Sequence, residues 1–259
     1  MIFKSTESFA VIPLRYSRIA SFCAVVVTNL ALLAALGWVT GASDLASLDK
    51  SYIPMAPSTS ILFFLFSSSL SLFFWKPNLT TKIYALLAMA IAFCFTSWTL
   101  LSFSGVVQLD LEKLILSTSG HFNGVPTGRM SPMTACNFMV LSISFFLFSQ
   151  SKNKNKIADI AGAFATTGYF FTLIILMGYL YGTPILYGSP VIPMALTTAV
   201  AFFAIYTQLI CFLGAEHFPL RMIVGTTAQA RLLRAFLPVS FFLLLFMEVY
   251  LNLLSEILM

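Results

Sequence analysis

Hydrophobic and polar positions along the chain fall into long blocks, with apolar runs separated by short polar connections from one end to the other. Crossing a hydrocarbon core roughly 30 Å thick takes about 20 helical residues that are mostly apolar. Seven stretches reach or approach that length, at 19–40, 57–75, 80–104, 132–149, 157–182, 193–214 and 235–254. The pattern predicts an all-α, polytopic membrane helix bundle of about seven transmembrane helices. Residues 1–18 form an N-terminal segment, 19–254 the transmembrane domain and 255–259 a C-terminal tail. The first apolar run follows Lys4, Arg15 and Arg18 and ends near Gly41-Ala42-Ser43, as a secretory signal would. Its length exceeds the roughly 7 to 15 apolar residues of a cleaved signal, so it is taken as a span.

Composition agrees with the blocks. Of 259 residues, 59% are apolar and 9% charged, against the roughly 25% charged residues of a soluble domain. A soluble enzyme, a disulfide-stapled secreted module and a nucleic-acid binder are thereby excluded. The four cysteines, Cys23, Cys94, Cys136 and Cys211, all lie in apolar runs, where a thiol behaves as a small hydrophobe, and imply no disulfide framework or metal cluster.

The net charge of +5 is distributed by side. Eleven basic residues occupy the N-terminus and alternate connections: Lys4, Arg15, Arg18, Lys76, Lys82, Lys152, Lys154, Lys156, Arg221, Arg231 and Arg234. The other connections hold three, Lys50, Lys113 and Arg129. Basic residues resist translocation, so the richer side is expected to be cytoplasmic, with the N-terminus inside and, after seven crossings, the C-terminus outside. Trp75-Lys76-Pro77-Asn78 reads as a tight turn, and 215–234 has room for a short interfacial helix carrying Arg231 and Arg234. The longest connection, 105–131, contains Asp110, Glu112, Lys113, His121, Asn123, Gly124, Gly128 and Arg129 and is expected outside. Long loops often carry function, and a plain solvated connection is the alternative.

An internal repeat opens each inward-running helix: Met55-Ala-Pro-Ser-Thr59-Ser-Ile-Leu-Phe63, Met130-Ser-Pro-Met-Thr134-Ala-Cys-Asn-Phe138 and Met194-Ala-Leu-Thr197-Thr-Ala-Val-Ala-Phe202. Spacings of 75 and 64 residues match a hairpin plus its loop, giving three helical hairpins in parallel orientation plus a leading helix. Pro57 and Pro132 suit a first helical turn, where no amide bond is lost, and Ser131 suits a cap. Three helix N-termini on one side carry partial positive charge that suits an anionic or carbonyl-bearing ligand. Helix starting and packing by the Thr and small residues explains the same pattern without a ligand.

Ionisable groups inside a membrane are functional suspects because of their cost. Glu248, with Asn252 one turn later, is the acid well inside a span; Asp159 begins the fifth helix, where a carboxylate complements the dipole. Reaching interfacial water is the alternative for Glu248. No Lys lies deep in a span, excluding a retinal Schiff base, and His121 and His217 sit in loops on opposite sides, excluding a histidine-ligated haem or metal. No catalytic constellation and no cofactor are evident. Tyr179, Tyr181 and Tyr187 read as an interfacial belt.

Gly128-Arg-Met-Ser-Pro-Met-Thr-Ala135, Gly178-Tyr-Leu-Tyr-Gly182-Thr-Pro-Ile-Leu-Tyr-Gly188, Pro193-Met-Ala-Leu-Thr-Thr-Ala199 and Ala230-Arg-Leu-Leu233 with Pro238, in that order, resemble the multispan sensory region at the N-terminus of bacterial membrane histidine kinases and related PAS- or GGDEF-containing signalling proteins. The resemblance implies a bacterial inner-membrane input module, non-catalytic in this chain, that passes a signal to a transmitter. Its final returning helix and transmitter domains have no counterpart before Met259, which leaves a truncated or split sensor as the expectation. Its partners are then the lipid bilayer and either a second copy or a separate cytoplasmic transmitter. The expected ligand-binding residues are Thr59, Thr134, Thr197, Arg129 and Glu248. A small transporter or permease subunit, and a non-functional remnant of a sensor kinase, are the competing expectations.

Overall fold

The computed structural model describes residues 13–42, 44–49, 51–107, 111–112, 120–122, 125–151, 155–187 and 191–258. Lys4, Lys50, Asp110, Lys113, Asn123, Gly124, Lys152, Lys154 and Gly188 lie outside the described residues. The elements, in order, are α1 (Leu14–Thr40), α2 (Asp44–Ser47), α3 (Pro57–Trp75), α4 (Leu79–Phe103), β1 (His121–Phe122), β2 (Val125–Pro126), α5 (Pro132–Gln150), α6 (Asn155–Leu180), α7 (Leu196–Leu213), α8 (Leu220–Val224) and α9 (Ala228–Leu258). Among the described residues six helices, α1, α3, α4, α5, α6 and α7, are long and apolar enough to cross a membrane.

Local chemistry sets the helix starts. Pro57 and Pro132 stand in the first turns of α3 and α5, and the Ser131 hydroxyl accepts from the Thr134 amide at 3.1 Å. Asn78 caps α4 through a reciprocal pair: its side chain accepts from the Thr81 amide at 2.7 Å, and its own amide donates to the Thr81 hydroxyl at 3.1 Å.

The six helices close into a ring in chain order, each packed on the next, with α7 returning to α1. Successive helices run in opposite directions. The members alternate in character: α3, α5 and α7 are central and largely buried, whereas α1, α4 and α6 are peripheral and largely exposed. The repeat accounts for this. Its terminal phenylalanines, Phe63, Phe138 and Phe202, meet as a triangle with ring centroids 4.8, 4.7 and 4.6 Å apart, all tilted or edge-on and fully buried. Below them, residues at matching positions are again buried: Phe66, Leu141 and Ile205, then Leu70, Phe145 and Leu209, then Phe73, Phe148 and Phe212. These steps of three and four residues are those of a coiled-coil seam, here shared by three parallel helices.

Each peripheral helix carries small residues on its buried face: Ala20, Ala31, Ala34 and Gly37 on α1; Ala85, Ala88 and Ala92 on α4; Ala158, Ala161, Ala165 and Gly168 on α6. Small residues let helix backbones approach closely in lipid, where no hydrophobic force drives helices together. At Gly168 the approach is obligatory, since a Cβ there would overlap the Tyr206 ring. The bulky seam lies inside, the small stripes face it from outside, and the remaining faces of the peripheral helices expose Leu, Ile, Val and Phe.

The leading helix is therefore one of three equivalent peripheral helices and closes the ring between α7 and α3. The helix without a counterpart is the trailing α9. It begins at Ala228, earlier than the expected 235, and continues through the expected tail to Leu258. Arg231 and Arg234 thus belong to its first turns, and the separate short helix is α8. In place of a small stripe α9 carries Leu and Phe; its principal packing is on α8, and Phe236, Phe242 and Phe246 are exposed.

Replacing Phe138 with Ala removes the ring shared by two edges of the triangle and should cost about 3 to 5 kcal/mol. Ile91→Ala, on the exposed face of α4, should change stability by no more than about 0.5 kcal/mol. Unfolding in lipid–detergent micelles, followed by circular dichroism, measures both.

Candidate functional site

The three central helices begin at one end of the ring, the crown, where described residues of the connections, among them Ala46, Ile53, Glu112 and Tyr187, bond to one another or to the helix starts. The repeat's methionines, Met55, Met130 and Met194, are buried there, and a side chain from elsewhere in the fold grips the backbone of each. Trp38, near the end of α1, donates its indole N–H to the Met55 carbonyl at 2.7 Å. Tyr179, at the end of α6, donates its hydroxyl to the Met194 carbonyl at 2.6 Å. The Met130 amide donates to the Glu112 carboxylate, at 2.8 Å to Oε1 and 3.0 Å to Oε2.

Glu112 is the centre of this end. It is 5% exposed, and the Ser58 hydroxyl, in the first turn of α3, also donates to its Oε1 at 2.6 Å. A carboxylate in that position complements the dipoles of two helices at once, at the starts of α3 and α5. The chain's own carboxyl group thus meets two of the three helix starts. Arg129 sits next to this contact, with its guanidinium carbon 5.7 Å from the centroid of the Phe103 ring at the end of α4.

All three expected threonines lie in the crown and are buried: Thr59, Thr134 and Thr197. Thr134 shares a hydrogen bond of 2.8 Å with Ser131, and Thr197 donates to the Ala46 carbonyl in α2 at 2.9 Å. The same carbonyl accepts from the Met55 amide at 3.0 Å, so one atom joins α2 to the starts of α3 and α7. In the third copy the residue matching Thr59 and Thr134 is Thr198, also buried; Thr197 matches Ser58 and Met133. Ser58 and Thr197 therefore do the same work, each tying a central helix to the connection belonging to another copy of the repeat. Glu248 lies in α9, but its side chain falls outside the described residues.

Two of the three tyrosines make specific bonds at this end. Tyr179 is buried, and its hydroxyl lies 3.2 Å from that of Tyr187, which in turn accepts from the Ile53 amide at 3.0 Å. Both are spent on joining the last connection to the first. In the 41–56 connection, Asp49 accepts from the Ser51 amide and hydroxyl at 2.7 and 2.6 Å, and these bonds hold its carboxyl below the usual carboxylate range.

Two polar groupings lie away from the crown. Inside the ring, Asn137 donates to the Thr172 hydroxyl at 3.0 Å and accepts from the Tyr206 hydroxyl at 2.8 Å, all three side chains being buried. At the opposite end Asp159 accepts from the Phe218 amide at 2.9 Å and from Arg221 at 3.1 Å, with His217 Nδ1 at 3.7 Å. It thereby holds the α7–α8 connection against α6, beyond the dipole role expected of it. Among the described residues no group of three His, Cys, Asp or Glu is placed to hold a metal ion.

Glu112 was legible only as a loop acid. Its one sequence signal is apolar company, Leu111 before it and Leu114-Ile-Leu116 shortly after. Trp38 and Tyr206 are indistinguishable by sequence from the other aromatics of the spans.

Comparison of the chain with protein-family models, with curated proteins and with solved structures finds no match. The fold itself defines a class: the chain is a multi-pass, all-α membrane protein.

Glu112→Ala should leave the Met130 amide and the Ser58 hydroxyl without their acceptor and cost about 2 kcal/mol, while Glu112→Gln, which keeps one oxygen, should cost less. Hydrogen exchange read by mass spectrometry should show faster exchange at the start of α5 in the Ala variant. Unchanged exchange there would contradict the clamp.

Proposed function

We propose that the chain is a non-catalytic sensory input module embedded in a bacterial inner membrane. The crown is its receiving end, and the signal leaves as a small shift in helix packing. The observation that carries this is the crown's bonding pattern. Ser58, Thr197, Glu112 and Tyr187 each tie a connection to a helix start or connection of a different repeat copy, so anything that displaces one connection bears on several helices together. The resemblance to histidine kinase input regions supports the same role, with a separate transmitter or a second copy as the recipient. Thr59, Thr134, Thr197 and Arg129 remain the ligand-proximal residues of this proposal, with Glu112 added; Glu248 belongs to it only through its place on α9.

A transporter or permease subunit is the second reading, favoured by the polar cluster of Asn137, Thr172 and Tyr206 inside the ring. Against it stands the central seam, where the rings of Phe63, Phe138 and Phe202 meet between the three central helices.

Nitroxides placed at Ile83 on α4 and Ile160 on α6, both exposed, report helix separation by electron resonance in vesicles. For the sensory role, Glu112→Gln should shift that separation, and vesicles should pass ions and small solutes no faster than protein-free ones. An unchanged separation together with protein-dependent flux would favour the transporter.

A further inference from the structure

Three carboxamides lie in the interior of the six spans, and the ring buries two of them: Asn137 and Gln208 each donate to a neighbouring helix, Gln208 Oε1 alone finding no partner among the described residues. Asn29 is different. It is exposed on the outer face of α1, two residues past that helix's midpoint at Val27 and so about 3 Å from mid-helix. Its Nδ2 donates to the Val25 carbonyl at 2.8 Å. Among the described residues nothing meets its second N–H or its Oδ1. Lipid tails meet neither, and a polar side chain facing hydrocarbon at that depth is costly.

The residues around Asn29 on that face are Phe22, Val25, Leu32, Leu36 and Val39, all exposed. With Asn29 they step by three, four, three, four and three residues, which is the spacing of a two-helix seam with one polar core position. The other peripheral helices carry similar rows but no mid-span carboxamide. On α4 the exposed Thr80, Ile83, Leu87, Ala90 and Cys94 take the same steps, with the polar hydroxyl of Thr80 in the first turn and not at mid-helix. On α6 the exposed Thr167 already spends its hydroxyl on the Ala163 carbonyl at 3.0 Å.

We propose that α1 is a self-association surface on which a second copy of this chain packs in parallel about a two-fold axis, with Asn29 bonded to its own equivalent. A carboxamide carries both a donor and an acceptor, so two related by a two-fold satisfy each other, which neither lipid nor a purely apolar partner helix does. Two copies inserted the same way can meet only in parallel through this face. The single polar position then sets the register, since any slip places Asn29 against Leu or Val. This inference needs neither a ligand nor a transmitter, so it can fail or hold independently of the sensory role, for which it would specify the face through which a second copy packs.

Energy transfer between donor- and acceptor-labelled full-length chains in phosphatidylcholine vesicles tests it. The wild type should self-associate, and Asn29→Leu should weaken association about tenfold, the scale of one interhelical hydrogen bond in a membrane. Leu87→Ala on α4 should leave it unchanged. With all four native cysteines, Cys23, Cys94, Cys136 and Cys211, replaced by Ala, single cysteines at Val25, Leu32 or Leu36 should form disulfide-linked dimers on mild oxidation, and cysteines at Leu33 or Ile83 should not. The cross-linking pattern reads the interface with Asn29 in place, so it holds even if the Asn29→Leu chain folds poorly. Monomers at every protein-to-lipid ratio would mean that lipid covers α1. Association that is indifferent to Asn29→Leu in a folded chain, or cross-links that follow another helix, would mean a different interface. Either result overturns the proposal.

Discussion

The contact among Phe63, Phe138 and Phe202 is the constraint from which the rest of the bundle follows. Three helices that start at the same end and run the same way present parallel dipoles, which gives them no electrostatic reason to associate side by side. Here their backbones stay apart, and large rings at matching depth fill the space between them. The antiparallel α1, α4 and α6 then lie between them around the ring, so each central helix has oppositely directed neighbours on both sides. Only helices with small residues on the facing side can come that close, which is why Ala and Gly recur on all three peripheral helices and why α9, lacking them, packs on α8 instead.

The seam also governs the crown. Once the three central helices are held at common depth, their first turns arrive together, with their unpaired amides and hydroxyls facing three connections. Buried polar groups need partners, and the connections supply Glu112 for Ser58 and Met130 and Ala46 for Thr197 and Met55, while the end of α6 supplies Tyr179 for the Met194 carbonyl. The connections are therefore part of the packed structure, and the anion-attracting property of the helix starts is partly spent within the chain. The other end has its own tie, Asp159 to the α7–α8 connection. At Gly162 the backbones of α6 and that connection come so close that a Cβ would overlap the Phe218 carbonyl.

Much of this was written in the sequence at the level of elements. Six spans end within a few residues of their expected limits, because the length of an apolar run and a capping residue such as Pro57, Asn78 or Ser131 are local properties of the chain. The repeat was also legible, and so was its weight on packing, since Met, Thr and Phe recur at fixed offsets. Assigning roles within it was harder. Thr197 and Thr198 stand side by side in one copy, and only their neighbours in space tell which of them matches Thr59.

By itself the sequence determined that the chain lives in a bilayer, where its helices start, and that three of them are variants of one design. Periodicity and composition carry that information because they depend on residues close together along the chain. Tertiary structure alone decided which helix is the odd one out, that Glu112 is a buried clamp, that Tyr179 and Tyr187 tie the last connection to the first, and that Asn29 faces outward while Asn137 faces inward. Each of these depends on which residues meet across tens of positions, from Ser58 to Glu112 or from Ala46 to Thr197, and hydropathy reports the cost of burying a polar group but never the partner that offsets it.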